Sequence, residues 1–333
     1  MSRSCPLATL AGLCLAAGAV APVGAQVPSG TLIVTNKSAA TASFIDLASN
    51  RIVATVPTGQ GPHEIALSGD GRTAVVTDYG GGGGGGSALT VIDVPGRRVA
   101  RTVDLGQYRR PHGIAFLPGD SLVAVTSEQS QHVVIVHVAS GEIRKAIPTK
   151  HQGSHMLAFG AAADRIYTGD IGSNTVSELD VASGTYLRSF AVPSQPEAIG
   201  MPADGREVWV GSNAEGKVSV IDPASGGVRT AAEGFGWPYR IVFTPDGGTV
   251  LLPDMRAEEL RLIDRATHRE LGARISFAGG GPQGTTVTPD GRYAFVSLSR
   301  QARVAVIDLS SRSVIGHVDA GPAPDGVVYV PPT

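Results

Sequence analysis

Short apolar runs separated by turn-forming residues recur along most of this chain. One complete unit spans residues 61–105 and holds four such runs, at 63–67, 73–77, 88–94 and 99–103. The breaks between them are Gly-Asp-Gly, a run of seven glycines and Pro-Gly, all of which favour turns. Four strands joined by three turns predict one antiparallel sheet, and a lone sheet of this kind needs copies of itself to cover both faces.

The unit repeats, and its period indicates the architecture. An Asp ends the third run in six copies and a His takes its place in one, at intervals of about 42 to 47 residues. These positions are Asp46, Asp93, His137, Asp180, Asp222, Asp264 and Asp308. Strand-like runs at this period are typical of four-stranded propeller blades. Because these Asp residues recur and precede turns, we interpret them as hairpin caps.

The two ends of the repeat region complement each other. Residues 31–35, 43–47 and 51–56 match the second, third and fourth strands of the unit, and residues 323–330 match a first strand with nothing after it. One blade is therefore expected to combine three amino-terminal strands with one carboxyl-terminal strand, which closes the ring and removes its free edges. The sequence thus predicts an all-β, seven-bladed propeller with four antiparallel strands per blade.

The first 25 residues differ from the rest of the chain. They combine Arg3, an apolar segment over residues 7–20 and the small-residue sequence Val-Gly-Ala, which are the parts of a cleavable export signal. We therefore expect a signal peptide at residues 1–25, a single propeller domain at 26–333 with no membrane span, and a periplasmic or secreted mature protein. Both cysteines of the chain lie inside the signal, so no disulfide or cysteine chemistry is expected in the mature protein.

The charge balance narrows the class of partner. The chain carries 27 Lys and Arg against 29 Asp and Glu, without the basic excess that nucleic-acid binders usually show. Its 44 glycines and 22 prolines fall at the repeat boundaries, where they act as turn residues. We expect a monomer that binds no nucleic acid and meets a small molecule, a metal ion or a protein partner at one face of the propeller.

Several stretches resemble a known repeat. GPHEIALSGDGRTAVVTD at 61–78, PEAIGMPADGREVWVGSNAEGKVSVIDPASG at 196–226 and TLIVTN at 31–36 are similar to the YVTN-type repeat of secreted or surface seven-bladed propellers of bacteria, and the likeness extends over residues 31–330. The resemblance implies the propeller fold but no single function. Relatives of this repeat include lactonase-like propellers, the haem-d1 domain of cytochrome cd1 and propellers without known activity.

One repeat position carries most of the candidate chemistry. It follows the residue, usually Pro, that opens each first strand, and its seven members, the channel ring, are His63, His112, His155, Glu197, Tyr239, Gln283 and Asp325. First strands of a propeller line its central channel, so these side chains are expected at one mouth of it. Neutral imidazoles and carboxylates bind Zn, Cu and similar divalent ions, which predicts a metal site of His63, His112, His155 and Glu197. Polar lining of a water-filled channel is the alternative.

Loops on the same face add a rim. Those that follow second strands contribute Asp78, Asp170 and Asp254, and those that precede first strands contribute Arg109, Arg110, Trp237 and Arg240. Together with Tyr239, Gln283 and Asp325, these residues are expected to form a ligand-binding rim. Its mixture of cationic and aromatic side chains suits an organic anion.

Two classes of function follow from these patterns. The first is an exported binding or interaction protein that holds a ligand or a divalent metal at the channel mouth. The second is a lactonase-like hydrolase or lyase, in which histidines or acids at the mouth activate water or polarise a carbonyl. The chain contains no matched catalytic motif, and it carries an export signal whereas lactonase-like enzymes are mostly cytoplasmic, so the binding class is favoured. A haem near His63, His112 and His155 is a further alternative.

Overall fold

The structure is a computed structural model, and it describes Met1, residues 28–81 and residues 84–332. Within these residues the chain forms strands β1 to β28 and no helix, and the strands make seven four-stranded antiparallel sheets. The predicted all-β, seven-bladed propeller is therefore confirmed. The predicted signal peptide, apart from Met1, lies outside the described residues. No helix in the described part of the chain is long and apolar enough to cross a membrane.

Blade 1 closes the ring. It comprises β1 (Thr31–Asn36), β2 (Thr41–Asp46), β3 (Arg51–Pro57) and the last strand, β28 (Pro324–Val330). Strand β28 pairs antiparallel with β1, with Thr31 opposite Val330. The sheet order is β28-β1-β2-β3, so the amino-terminal and carboxyl-terminal strands lie in one sheet, as the sequence predicts.

The other six blades follow one another along the chain, each with its four strands in sequence order. Blades 2 to 4 contain β4 (Pro62–Leu67), β5 (Thr73–Asp78), β6 (Ala88–Asp93), β7 (Arg98–Asp104), β8 (Pro111–Phe116), β9 (Leu122–Ser127), β10 (His132–His137), β11 (Ile143–Pro148), β12 (Ser154–Ala158), β13 (Arg165–Asp170), β14 (Thr175–Asp180) and β15 (Thr185–Ala191). Blades 5 to 7 contain β16 (Pro196–Gly200), β17 (Val208–Ser212), β18 (Lys217–Ile221), β19 (Val228–Glu233), β20 (Val242–Phe243), β21 (Thr249–Asp254), β22 (Glu259–Asp264), β23 (Ile275–Ser276), β24 (Pro282–Val287), β25 (Tyr293–Leu298), β26 (Arg303–Asp308) and β27 (Ser313–Asp319). First strands of neighbouring blades contact one another, which places them at the centre of the ring.

The core lies between neighbouring blades rather than at one central point. Between blades 1 and 2, for example, Ile33, Phe44 and Val76 are at most 1% exposed. Second and third strands are buried at nearly every position, whereas the fourth strand β7 is largely exposed. Middle strands are covered on both faces by adjacent blades, which explains their continuous apolar runs. Each buried Val, Ile or Phe contributes about 2 kcal/mol of hydrophobic free energy.

Removal of residues 322–333 should destabilise the whole ring, because blade 1 then loses its inner strand and β1 gains a free edge. We expect the melting temperature to fall by at least about 10 °C, since each kcal/mol shifts a domain of this size by a few degrees. Thermal unfolding followed by circular dichroism measures the change. Removal of residues 331–333 alone is the control and should leave the melting temperature unchanged. Equal melting temperatures for both truncations would contradict the closure of the ring by β28.

Candidate functional site

The first strands carry an irregularity where the channel ring begins. The pairing register of β4 with β5 shifts between Pro62 and Ile65, and equivalent shifts occur in blades 3, 4, 5 and 7. A β-bulge of this kind releases a residue from the ladder and re-aims its side chain. His63 lies inside the bulge of blade 2, and blades 3, 4, 5 and 7 place their channel-ring residues in the same way, whereas Tyr239 of blade 6 lies before the short strand β20.

Hydroxyl groups from the preceding blade fix the histidine backbone. Thr35 Oγ1 in β1 donates to the carbonyl oxygen of His63 at 2.8 Å, and Thr126 Oγ1 in β9 donates to that of His155 at 2.6 Å. Both threonines are fully buried. These contacts run from the second strand of one blade to the first strand of the next, so inter-blade packing sets the position of the histidines.

The three predicted histidines lie together. The ring centroids of His63 and His112 are 4.9 Å apart, and those of His112 and His155 are 3.6 Å apart with an angle of 31° between the planes. His112 is 1% exposed. The channel ring therefore converges in blades 2 to 4, as the sequence predicts, with His155 nearly parallel to His112 and His63 edge-on to it.

His155 is held between two carboxylates. Its Nδ1 lies 2.9 Å from Glu128 Oε2, and its Nε2 lies 3.6 Å from Glu197 Oε1. Burial alone would lower the pKa of His155, but the hydrogen bond to Glu128 and the nearby carboxylate of Glu197 outweigh it and raise the pKa to about 8. His155 is therefore an imidazolium at neutral pH, bracketed by two negative charges.

The other two histidines are neutral. Burial lowers the pKa of His63 to about 4. Burial and the neighbouring charge of His155 lower the pKa of His112 well below its usual value. The Nδ1 atom of His63 is paired with the carbonyl oxygen of Gly61 at 2.8 Å, whereas the buried Nδ1 of His112 has no hydrogen-bond partner in the described residues.

This arrangement does not fit the predicted divalent metal site. Both nitrogens of His155 are engaged by carboxylates, and stacked rings such as those of His112 and His155 do not direct their nitrogens to a common point. Among the described residues, no group of three or more His, Cys, Asp or Glu is placed to hold a metal ion. A site of His63, His112, His155 and Glu197 stays a prediction that the present side-chain positions do not support.

A buried ion pair crosses the channel. Arg240 Nη2 of blade 6 donates to Glu64 Oε1 of blade 2, although the two residues are 176 positions apart. The side chain of Arg240 is 6% exposed and that of Glu64 is 12% exposed. Burial raises the pKa of Glu64, an effect that Arg240 opposes. Burial likewise disfavours the charge of Arg240, but Glu64 and other nearby carboxylates raise its pKa above the ordinary value, so Arg240 is charged.

The remaining channel-ring residues form a second polar group. Glu197 Oε2 accepts hydrogen bonds from Asn213 Nδ2 and, at 3.0 Å, from Trp237 Nε1. Asp325 pairs with Lys37 Nζ at 3.3 Å and accepts a long hydrogen bond of 3.5 Å from the Tyr239 hydroxyl. The amide nitrogen of Gln283 lies 3.4 Å from the sulfur of Met255. Each carboxylate at the mouth thus already has a protein partner.

The predicted rim acids face into their own blades. The Asp78 carboxylate accepts from Gly59 N and Thr90 Oγ1. Four hydroxyl groups surround Asp170, and four backbone N–H groups surround Asp254. Burial raises the pKa of Asp78 to about 6. These three acids fix loops, while Arg109 is exposed and Arg110 bonds to Tyr79.

The sequence reasoning missed the residues that follow the second strands. These are Lys37, Tyr79, Glu128, Ile171, Asn213, Met255 and Ser299, and we call them the strand-exit residues. Successive side chains of a strand point to opposite faces, so the residue after Asp78 or Asp254 turns toward the channel when the aspartate turns away. Five of the seven contact the channel ring, through the Lys37, Glu128, Asn213 and Met255 bonds above and a ring contact of 4.4 Å between Tyr79 and His63.

A cleft opens beside the His155–Glu128 pair. It has a volume of about 460 Å³ and is lined by Gly84, Gly85, Arg110, Glu128, Gln129, Gln131, Gln152 and Gly153. A larger cleft of about 1210 Å³ lies between the turns of blades 5 and 6 on the opposite face. The charges of that larger cleft bind one another, with Arg265 held by Asp204 and Glu207. The smaller cleft is therefore the one that adjoins the channel-mouth chemistry.

Replacement of Arg240 by Met should destabilise the fold by about 3–5 kcal/mol, because it leaves the Glu64 carboxylate buried and unpaired. The double variant Glu64→Leu/Arg240→Met should recover most of that loss, since an apolar pair of similar volume removes both desolvation costs. Urea unfolding of the two variants and the parent measures the difference. A double variant no more stable than Arg240→Met would show that the unpaired Glu64 carboxylate is not the cause of the destabilisation.

Stability should decline as pH rises from 6.5 through 8, because the native state keeps the His155 proton that the unfolded chain releases near 6.5. The expected loss is about 2 kcal/mol. Below pH 6.5, His63 and His112 have the opposite effect, and stability falls as the pH falls. Their pKa values are lowered in the native state, so the unfolded chain takes up protons first. His155→Gln should flatten the alkaline decline in urea titrations, while His132→Gln, outside the cluster, should not; an unchanged decline in His155→Gln would refute the assignment.

No protein-family model and no curated protein matches this chain. Solved structures do match it. Hydrazine synthase of Kuenenia stuttgartiensis aligns with a TM-score of 0.72 and 18% identity, over 88% of this chain and 99% of that chain. A functionally unknown protein from Desulfotomaculum acetoxidans DSM 771 aligns with a TM-score of 0.75 and 16% identity, over 92% and 100%. Likeness at such low identity bears on the fold alone, and what it supports is a seven-bladed β-propeller.

Proposed function

We propose that this chain is an exported binding protein that holds a small polar ligand in the cleft beside the channel mouth. The observation that carries the proposal is the cleft itself, which joins a volume of about 460 Å³ to the half-buried Glu128–His155 pair. Ligand pockets commonly have volumes of about 300–1,000 Å³ and a few fixed polar groups. Export rests on the signal-like pattern over residues 1–25.

The polar groups of the cleft are held in place before any ligand arrives. Glu128 Oε2 accepts hydrogen bonds from the Tyr79 hydroxyl at 3.0 Å and from His155 at 2.9 Å. Burial acts to raise the pKa of Glu128, but these bonds outweigh it and lower the pKa, so the carboxylate is charged at neutral pH. Fixed side chains lose little entropy on binding, which favours affinity.

The contacts of His155 favour binding over lactonase-like hydrolysis. A general base needs a nitrogen that is free to take a proton. Both ring nitrogens of His155 are occupied by carboxylates, and its raised pKa keeps it protonated. The neutral His112 is 1% exposed, so it offers almost no surface to a substrate.

A screen of the mature protein tests the proposal. Thermal-shift measurements would use amino acids, sugars, organic acids, amines and divalent cations as probes, and at least one class should raise the melting temperature. Gln152→Ala should lower the affinity for that compound by about tenfold, since a lost hydrogen bond costs about 1 kcal/mol or more. Gln301→Ala, which lies outside the cleft, should leave the affinity unchanged. No stabilising compound, or equal binding by both variants, would overturn the proposal.

A further inference from the structure

The cleft presents two opposite charges side by side. Arg110 and Glu128 both line it, and the Tyr79 hydroxyl joins them. Arg110 Nη1 donates to that hydroxyl at 3.0 Å, and the hydroxyl donates to Glu128 Oε2 at 3.0 Å. The Arg110 guanidinium also lies over the Tyr79 ring, 5.1 Å from its centroid. Tyr79 therefore keeps the two charged groups close without letting them form a direct ion pair.

Each charge keeps unused hydrogen-bonding capacity. Within the described part of the chain, Glu128 Oε1 accepts no hydrogen bond, because both of the bonds to this carboxylate end on Oε2. Arg110 uses one of its five guanidinium N–H groups on Tyr79, and no carboxylate among the described residues lies within ion-pair distance of it. As far as the described residues show, the site therefore offers a free carboxylate oxygen and a free guanidinium edge to the same cleft.

From this pairing, and resting on the proposed function, we infer that the ligand is a small zwitterion of the α-amino-acid class. Its carboxylate binds the guanidinium of Arg110, which matches carboxylates in a two-pronged geometry, and its ammonium group binds Glu128 Oε1. The amide side chains of Gln129, Gln131 and Gln152 line the rest of the cleft. Because an amide both donates and accepts, these groups suit a polar side chain on the ligand.

The same pairing disfavours ligands with a single charge. A simple anion on Arg110 lies close to the Glu128 carboxylate, and a simple cation on Glu128 lies close to the Arg110 guanidinium. Repulsion of this kind contributes to specificity as much as attraction does. This replaces the organic anion expected from the rim residues, since the rim cation Arg240 is already paired with Glu64.

Calorimetric titration with the α-amino acids tests the inference. For the tightest one, the matched amine without the carboxylate and the matched acid without the amino group should each bind about tenfold to hundredfold more weakly, since a hydrogen bond to a charged group contributes about 1.5–3 kcal/mol. A sugar, a simple anion or a simple amine as the tightest ligand would overturn the inference and leave the binding role standing. If no compound of any class binds, the proposed function fails together with the inference.

Two substitutions separate recognition from structure. Arg110→Gln should remove the difference in affinity between the amino acid and its matched amine. Glu128→Gln should remove the difference in affinity between the amino acid and its matched acid. Arg144→Gln and Glu142→Gln, which break a matched exposed ion pair outside the cleft, should change neither ratio. A purely structural role for Arg110 and Glu128 would lower all three affinities by the same factor, and that result would refute the assigned contacts.

Discussion

The pairing of β28 with β1 is the constraint on which the rest of this molecule depends. Each blade buries its apolar faces only against its neighbours, so an open array would expose two faces and leave the first strands without a common centre. Closure brings the seven first strands together. Residues that are far apart in sequence, such as Glu64 and Arg240, meet only because the ring is closed.

Once the ring is closed, the centre has to satisfy the charges that it buries. An isolated ion in a low-dielectric interior is costly, and the protein avoids this cost by pairing. His155 is paired with Glu128 and Glu197, Arg240 with Glu64, and Lys37 with Asp325. Sites of strongly shifted pKa often mark function, but here burial explains the shifts of His63 and His112 and pairing explains that of His155. What distinguishes the cleft is that Arg110 stands outside this pairing.

Much of the fold could be predicted from the sequence, because the repeat encodes it many times over. The missing first strand before Thr31 and the extra strand at the end of the chain predict closure without reference to coordinates. The convergence of His63, His112 and His155 follows from their shared repeat position. Local pattern and blade geometry agree at these positions, so the inference is secure.

The contacts of the site could not be predicted in the same way. Glu128 stands one residue beyond the second strand, and a shift of one position changes the face on which a side chain lies. Glu64 and Arg240 do share a repeat position, where the other blades have Gly113, Met156, Ala198, Gly284 and Gly326. Two opposite charges at a position otherwise occupied by uncharged residues are a signal that the sequence does contain. Whether such charges meet depends on the width of the ring, which the pattern of residues does not specify.

The cross-channel pair also links two blades that are not neighbours in the ring. Glu64 and Arg240 join blades 2 and 6, and each directly follows a channel-ring residue in the chain, so the pair spans the ring next to the histidines. A change in the separation of these two blades would have to break this ion pair. The pair therefore resists radial deformation of the ring, in addition to the contacts between neighbouring blades.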